Sequence, residues 1–160
     1  MYSNVIAAAQ ATINGWAAVV RLLAAPNSDT TAVAEKLAPF YLPTYTSITL
    51  GSVTPLNRSA IRVGAVAQFD KAREIGLGTD VQLLYSRIEP VSNESALVWA
   101  TLYLCPPPES NVECWAYTEP FGFRLSEDAG DGLSGGWEFG IGDNEFQSAC
   151  ARFTSYSDHC

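Results

Sequence analysis

The hydrophobic period of this chain changes near residue 76. Before that point apolar side chains recur every three or four positions, as a helix requires; from Val81 onward they alternate, as a strand requires. Helices first and a meandering sheet afterwards is the pattern of an α+β fold.

In the first half, Ile6, Ala9, Ile13, Trp16, Val20 and Leu23 fall on one stripe with Gln10, Asn14 and Arg21 opposite. This spacing predicts an amphipathic helix that begins near Ser3 or Asn4 and is stopped by Pro26. Ser28 and Asp29 offer cap chemistry for a second helix, with Val33, Ala34, Leu37 and Ala38 as its apolar face and Pro39 as its end. An aromatic-rich passage follows, with one short strand at Thr46, Ser47, Ile48 and Thr49 that Gly51 ends. A third helix is predicted from Asn57 or Ser59 to about Ile75, with Ile61, Ala65, Phe69 and Ala72 inward. Gly76 and Gly78 form its exit, and Asp70 and Arg73 a surface ion pair. Strands are predicted over 81–89, 96–105, 113–125 and 137–142, antiparallel because their connections are short, with a last helix over 144–153.

A chain of 160 residues is read as one domain over 1–160, and 48% hydrophobic residues against 16% charged supply a core that a disordered chain lacks. Acidic residues outnumber basic ones 17 to 9, for a net charge of −8. That balance repels phosphate backbones and anionic lipid, so neither nucleic acid nor a membrane is expected as a partner. The single histidine, His159, sits next to the C-terminus, and Cys105, Cys114, Cys150 and Cys160 lack metal-ligand spacing. No metal and no cofactor are expected. The cysteines are read as reduced thiols of a cytoplasmic protein, with a cross-strand Cys105–Cys114 disulfide as the alternative. The N-terminal segment has no basic start, and Gln10, Asn14 and Arg21 interrupt its apolar run, so neither a secretory signal nor a membrane span is expected.

The segment 96–105 is apolar on both faces, with Val98, Ala100, Leu102 and Leu104 on one and Leu97, Trp99 and Tyr103 on the other. A sheet covered by helices on one side alone carries one polar face. Helices and a cavity are therefore expected on one side and a second subunit on the other, making a homodimer. Trp115, Tyr117, Phe121 and Phe123 form an aromatic wall on the next strand.

The order of elements resembles the nuclear-transport-factor-two-like superfamily, in which three helices precede a strongly curved antiparallel sheet. Leu37-Ala38-Pro39-Phe40-Tyr41-Leu42-Pro43-Thr44-Tyr45-Thr46-Ser47-Ile48 looks like that superfamily's aromatic entry into its first strand, with Thr44-Tyr45 where an aspartate is usual. Gly135-Gly136-Trp137-Glu138-Phe139-Gly140-Ile141 looks like its last strand. The resemblance implies a cone-shaped α+β fold with a short C-terminal helix. Its enzyme branches include SnoaL-like polyketide cyclases, ketosteroid isomerase, scytalone dehydratase and limonene epoxide hydrolase. An Asp-His dyad of the scytalone dehydratase kind is excluded by the position of His159.

Chemistry then falls to carboxylates, tyrosines and arginine. Arg87 and Glu89 share one strand face and resemble the Arg-acid pair of limonene epoxide hydrolase, with Arg87 orienting and Glu89 as base; a strand-end salt bridge is the alternative. Glu119 stands amid Tyr117, Phe121 and Phe123 beside Pro120, either desolvated and reactive or turned to solvent by a proline bulge. Asp143 is a base or a helix N-cap. Tyr45 or Tyr117 is the candidate hydrogen-bond donor, and Tyr41, Trp99, Tyr103, Tyr117 and Phe121 are the candidate lining of a pocket for a hydrophobic small molecule. The expected function is a cofactor-independent isomerase, cyclase or dehydratase of a polyketide or terpenoid-like compound. A non-catalytic binding or scaffolding protein of the same fold is the alternative, and buried titratable groups converging in one cavity would favour the enzyme.

Overall fold

A computed structural model describes residues 2–153; His159 and Cys160 lie outside them. Helix α1 (Ser3–Arg21) buries Val5, Ala9, Thr12, Ile13, Trp16 and Val20, so its stripe starts one residue earlier than the spacing suggested, and Ile6 is exposed. The segment Ser3–Ala24 is long and apolar enough to cross a membrane by length and composition, and here its stripe packs on the sheet. Asp29 caps α2 (Thr30–Leu37) by accepting from the Ala32 N–H at 3.1 Å.

After a single 3-10 turn the chain enters β1 (Tyr41–Thr49), which is longer than expected, and reverses into β2 (Ser52–Leu56), a strand the sequence pattern does not reveal. Asn57 caps α3 (Arg58–Glu74) through the Ala60 N–H at 2.8 Å. The chain leaves α3 through Gly76 and Gly78, both in the left-handed region that favours glycine. Strands β3 (Val81–Pro90), β4 (Ser95–Leu104), β5 (Trp115–Leu125) and β6 (Gly135–Ile141) follow, and α4 (Asp143–Cys150) is the last element among the described residues.

The six strands form one curved, unclosed sheet in the order β2-β1-β6-β5-β4-β3. Neighbours are antiparallel as expected except β1 and β6, which run parallel. On β4, Ala96, Val98, Ala100, Leu102 and Leu104 are buried toward the helices, while Leu97, Trp99 and Tyr103 are half-buried on the opposite, outer face. Phe121 stacks on Trp137 with ring centroids 4.7 Å apart and meets Trp16 edge-on at 5.5 Å, which joins the sheet to α1.

Three local expectations fail. The β5 strand does not bulge at Pro120; the irregularity falls between Gly122 and Phe123, so Glu119 stays in register opposite Ala100 and faces inward. Asp70 accepts from the Thr30 hydroxyl at 2.8 Å, while Arg73 turns away to Thr79, Ser28 and the carbonyls of Leu23 and Ala25. Cys105 and Cys114 are joined in a disulfide, and Cys150 is disulfide-bonded too, so the reading of reduced thiols is corrected.

Candidate active site

Two cavities that share part of their wall, the inner and outer lobes of one site, lie between the concave face of the sheet, α1, α3 and α4. The inner lobe, about 140 Å³, is bounded by α1, α3 and the inner faces of β4 and β5. The outer lobe, about 210 Å³, lies between α3, β1 and the start of α4. Tyr41, Ile61, Ala65, Gln68, Glu119 and Glu145 line both.

Glu119 is carried inward by the alternation of β5, on the face that buries Trp115, Tyr117 and Phe121. Glu145 comes from the first turn of α4. Both residues are half-buried in the cavity wall. Burial pushes the Glu145 carboxyl up to about 7. Burial, and then the neighbouring Glu145 carboxylate, hold Glu119 well above the usual carboxylate range. Gln68 donates from Nε2 to Glu145 Oε1 at 3.1 Å, a contact that favours the ionised form of Glu145. No lysine, arginine or histidine lines either lobe among the described residues.

Two tyrosines complete the polar equipment. The Trp16 indole N–H donates to the Tyr41 hydroxyl at 3.1 Å, and the Tyr41 and Tyr45 rings meet edge-on at 4.8 Å. Burial raises both phenols. For Tyr45 the next causes are Tyr41 and then Glu119, and for Tyr41 the next is Glu119, so both stay protonated beside the glutamates. Gly140 makes room for Tyr45: a Cβ at that position would stand 2.5 Å from the tyrosine hydroxyl oxygen.

Of the residues singled out from sequence, Glu119, Tyr41, Tyr45 and Tyr117 share this cavity. Arg87 and Glu89 do not: they form an exposed ion pair of 2.7 Å on the outer face, where Trp99 donates to Glu89 at 3.1 Å and lies under the Arg87 guanidinium. Trp99 and Tyr103 are on that outer face as well, because residues of odd number on β4 point away from the helices. Phe121 is packed behind the cavity wall rather than lining it. Asp143 is the first residue of α4, not its cap, and its carboxylate accepts the Leu50 N–H at 2.6 Å in the β1–β2 turn. Glu145, Gln68 and Trp16 were missed as site residues. Gln68 lies on the stripe Ile61, Ala65, Gln68, Ala72, and Glu145 stands four residues before buried Ala149, so helical spacing marks both as inward-facing. Among the described residues no group of three or more His, Cys, Asp or Glu side chains is placed to hold a metal ion.

A three-helix cover over a curved sheet, with an acid pair in the cavity between them, defines a cone fold with an enclosed polar centre. The fold is that of the nuclear-transport-factor-two-like proteins. The chain is similar to an NTF-2-like protein of unknown function from Shewanella oneidensis MR-1, at a TM-score of 0.56 and 11% identity over 85% of this chain and 96% of that one. It is similar to a ketosteroid isomerase-like protein from Erwinia carotovora atroseptica, at a TM-score of 0.55 and 13% identity over 88% and 92% of the two chains. An uncharacterised protein with a cystatin-like fold from Caulobacter vibrioides is similar at a TM-score of 0.59 and 15% identity over 85% and 86%. No protein-family model matches the sequence, and no curated protein matches it.

Proposed function

We propose that the protein is a cofactor-independent acid–base enzyme, an isomerase, cyclase or dehydratase, acting on an uncharged hydrophobic small molecule. One observation carries this reading: Glu119 and Glu145 line one cavity together, with no lysine, arginine or histidine among the described residues that line it. Burial and mutual repulsion oppose ionisation of both carboxyls at once, which leaves one acid and one base at the same pH. The Gln68 hydrogen bond assigns the base to Glu145 and leaves Glu119 as the acid. Glu145 takes a proton from the carbon beside a substrate carbonyl, while the Glu119 carboxyl and a tyrosine hydroxyl hydrogen-bond the oxygen on which charge develops. Return of the proton from Glu145 to another carbon isomerises the substrate; its transfer instead to a β-hydroxyl, as the C–O bond breaks and the α,β double bond forms, releases water and dehydrates it. The fold shared with a protein named ketosteroid isomerase-like supports the same chemistry.

The experiment is deuterium exchange from heavy water into the α-carbons of a panel of hydrophobic cyclic ketones. The expected result is enzyme-dependent exchange that Glu145→Gln lowers by about 100-fold or more. Exchange no faster than in buffer, or undiminished in Glu145→Gln, overturns the reading and leaves a binding protein.

Two further readings rest on the same molecule. We propose a homodimer through the outer sheet face, where Leu97, Trp99, Tyr103 and Phe139 are only half-buried. We also propose an oxidising compartment in place of the expected cytoplasm, because disulfides persist where thiols are not kept reduced.

A further inference from the structure

Among the described residues, the carboxyls that line the two lobes both lie on the wall the lobes share, the waist of the site. Glu119 and Glu145, with Tyr41 and Gln68, line both lobes. The inner lobe beyond them is walled mostly by apolar side chains, among them Trp16, Val20, Leu23, Leu37 and Phe69, with Tyr117 and Thr79 as its hydroxyl-bearing residues. The outer lobe brings Tyr45, Ser47 and Thr49 as hydroxyl-bearing neighbours. Each lobe has the size of a cavity that takes one six-membered ring, for which about 150 Å³ suffices.

Helix α3 runs the length of this space. Ala60 and Gly64 touch only the outer lobe, Ile61, Ala65 and Gln68 touch both, and Phe69 and Ala72 touch only the inner one. At a rise of about 1.5 Å per residue, the stretch from Ala60 to Ala72 measures about 18 Å, room for a molecule of two rings laid along the helix.

Gly64 marks the entrance. Of the residues that line the two lobes, Gly64 is the exposed one. It lies inside α3, outside the positive-φ glycines, and nothing stands within 4 Å of where its Cβ would be. A glycine inside a helix is less stable there than alanine, and neither backbone strain nor close packing asks for one here. What it provides is open space at the mouth of the outer lobe.

We infer that the ligand is an uncharged two-part molecule whose reactive polar group lies at its middle, seated along α3 with its apolar part in the inner lobe, its more polar part in the outer lobe, and Gly64 as the entrance. An anionic ligand is repelled by the two carboxyls at the waist, which have no basic counterpart among the described residues that line the lobes. The inference deepens the acid–base reading but concerns binding alone, so the two fail separately.

The test uses two isomers of one formula: benzophenone, with its carbonyl between two rings, and biphenyl-4-carbaldehyde, with its carbonyl at one end. Equilibrium dialysis against the full chain is expected to show benzophenone bound at least about tenfold more tightly. Gly64→Phe, with its fold checked by circular dichroism, is expected to weaken benzophenone by about tenfold or more; Gly64→Leu replaces it if the larger ring disturbs the helix. Val63→Phe, one residue away at a position that is 69% exposed and lines neither lobe, is expected to leave binding unchanged. Equal retention of the isomers, retention of neither up to their solubility, or indifference to both Gly64 variants overturns the inference. The carbonyl carbon-13 shift of bound benzophenone separates the two readings. A downfield shift lost in Glu119→Gln supports both, whereas tight, Gly64-dependent binding with an unshifted carbonyl upholds the two-lobed site and removes the acid–base role.

Discussion

Asn144 and Thr118 are clasped together: the Thr118 N–H donates to Asn144 Oδ1 at 2.8 Å, and each residue immediately precedes one of the two cavity glutamates. The bond fixes where α4 sits along β5, and with it the position of Glu145 relative to Glu119. Further along, the Trp115 indole donates to the Ser148 hydroxyl at 2.9 Å, and the Arg152 guanidinium lies 4.5 Å from the Trp115 ring centre. At the other end Asp143 holds the β1–β2 turn. The acid pair is therefore assembled by docking a short helix onto a strand.

Asn144→Ala removes that clasp without touching the cavity, which Asn144 does not line. The expected outcome is a fall of about tenfold in turnover, with a displaced pH profile and little change in ligand affinity. Asn144→Asp, which keeps the accepting oxygen, should recover most of the activity. A loss confined to melting temperature, with the pH profile intact, would show Asn144 to be structural only.

The acid pair predicts how stability depends on pH. In the folded protein Glu145 titrates at about 7 against a reference of 4.5, and Glu119 is raised as well. Between those values the native state holds protons that the unfolded chain has released, so stability falls as pH rises through this window. Melting should therefore be higher near pH 5 than near pH 8. Glu119→Gln should raise stability at pH 8 by roughly 1–3 kcal/mol and change it little at pH 5. Thermal unfolding of the two proteins at both values measures this directly, and a parent stability that rises from pH 5 to pH 8 would contradict it.

Much of the fold is legible in the sequence, and what is not has physical causes. The stripes of α1 and α3 and the alternation of β4 are strong because each buries one continuous face. Strand β2 shows no such signal: Ser52, Val53, Thr54 and Pro55 are all exposed on an edge, and a strand without a buried face has no alternation to read. The parallel pairing of β1 with β6 joins residues about 90 positions apart, which no local pattern encodes. At the site, strand alternation around Glu119 is readable, since Trp115, Tyr117 and Phe121 share its face. Glu145 escaped because α4 is short and mostly polar, and Asp143 at its start offered the more familiar helix-end reading. Arg87 and Glu89 misled for a different reason. Parity along β3 places them together, but nothing local tells which face of the sheet the helices cover.

Gly140 tests the part played by Tyr45. A methyl group there would stand 2.5 Å from the Tyr45 hydroxyl oxygen and 3.2 Å from the Phe121 ring, and the β6 backbone that carries it is paired on both sides. Gly140→Ala should push Tyr45 out of place, lowering activity by about tenfold and stability by about 1–3 kcal/mol. Tyr45→Phe should lower activity to a similar degree with a smaller loss of stability. If Tyr45→Phe leaves turnover unchanged, the Tyr45 hydroxyl is not a donor in the reaction, and the phenols left in the cavity are Tyr41, held by Trp16, and Tyr117.

The outer face of the sheet carries the last prediction. Trp99 sits there in register with Arg87 on β3 and Pro120 on β5, and Leu97 and Tyr103 extend the same row. The exposed ion pair of Arg87 with Glu89 is worth little by itself in water. Beside Trp99, however, both charges are satisfied locally, since the indole donates to Glu89 and its ring lies under Arg87, so this part of the apolar face can be covered without leaving either charge unpaired. A second copy related by a two-fold axis would bury that row against its own counterpart. Sedimentation of the purified chain at micromolar concentration is expected to give twice the 17.2 kDa of the monomer. Trp99→Glu should shift the particle to the monomer while the carboxyls inside the cone keep their titration, because Trp99 and the cavity lie on opposite faces of the sheet. A monomeric parent protein would show that the outer face meets water, with Trp99 shielded only by the Arg87–Glu89 pair.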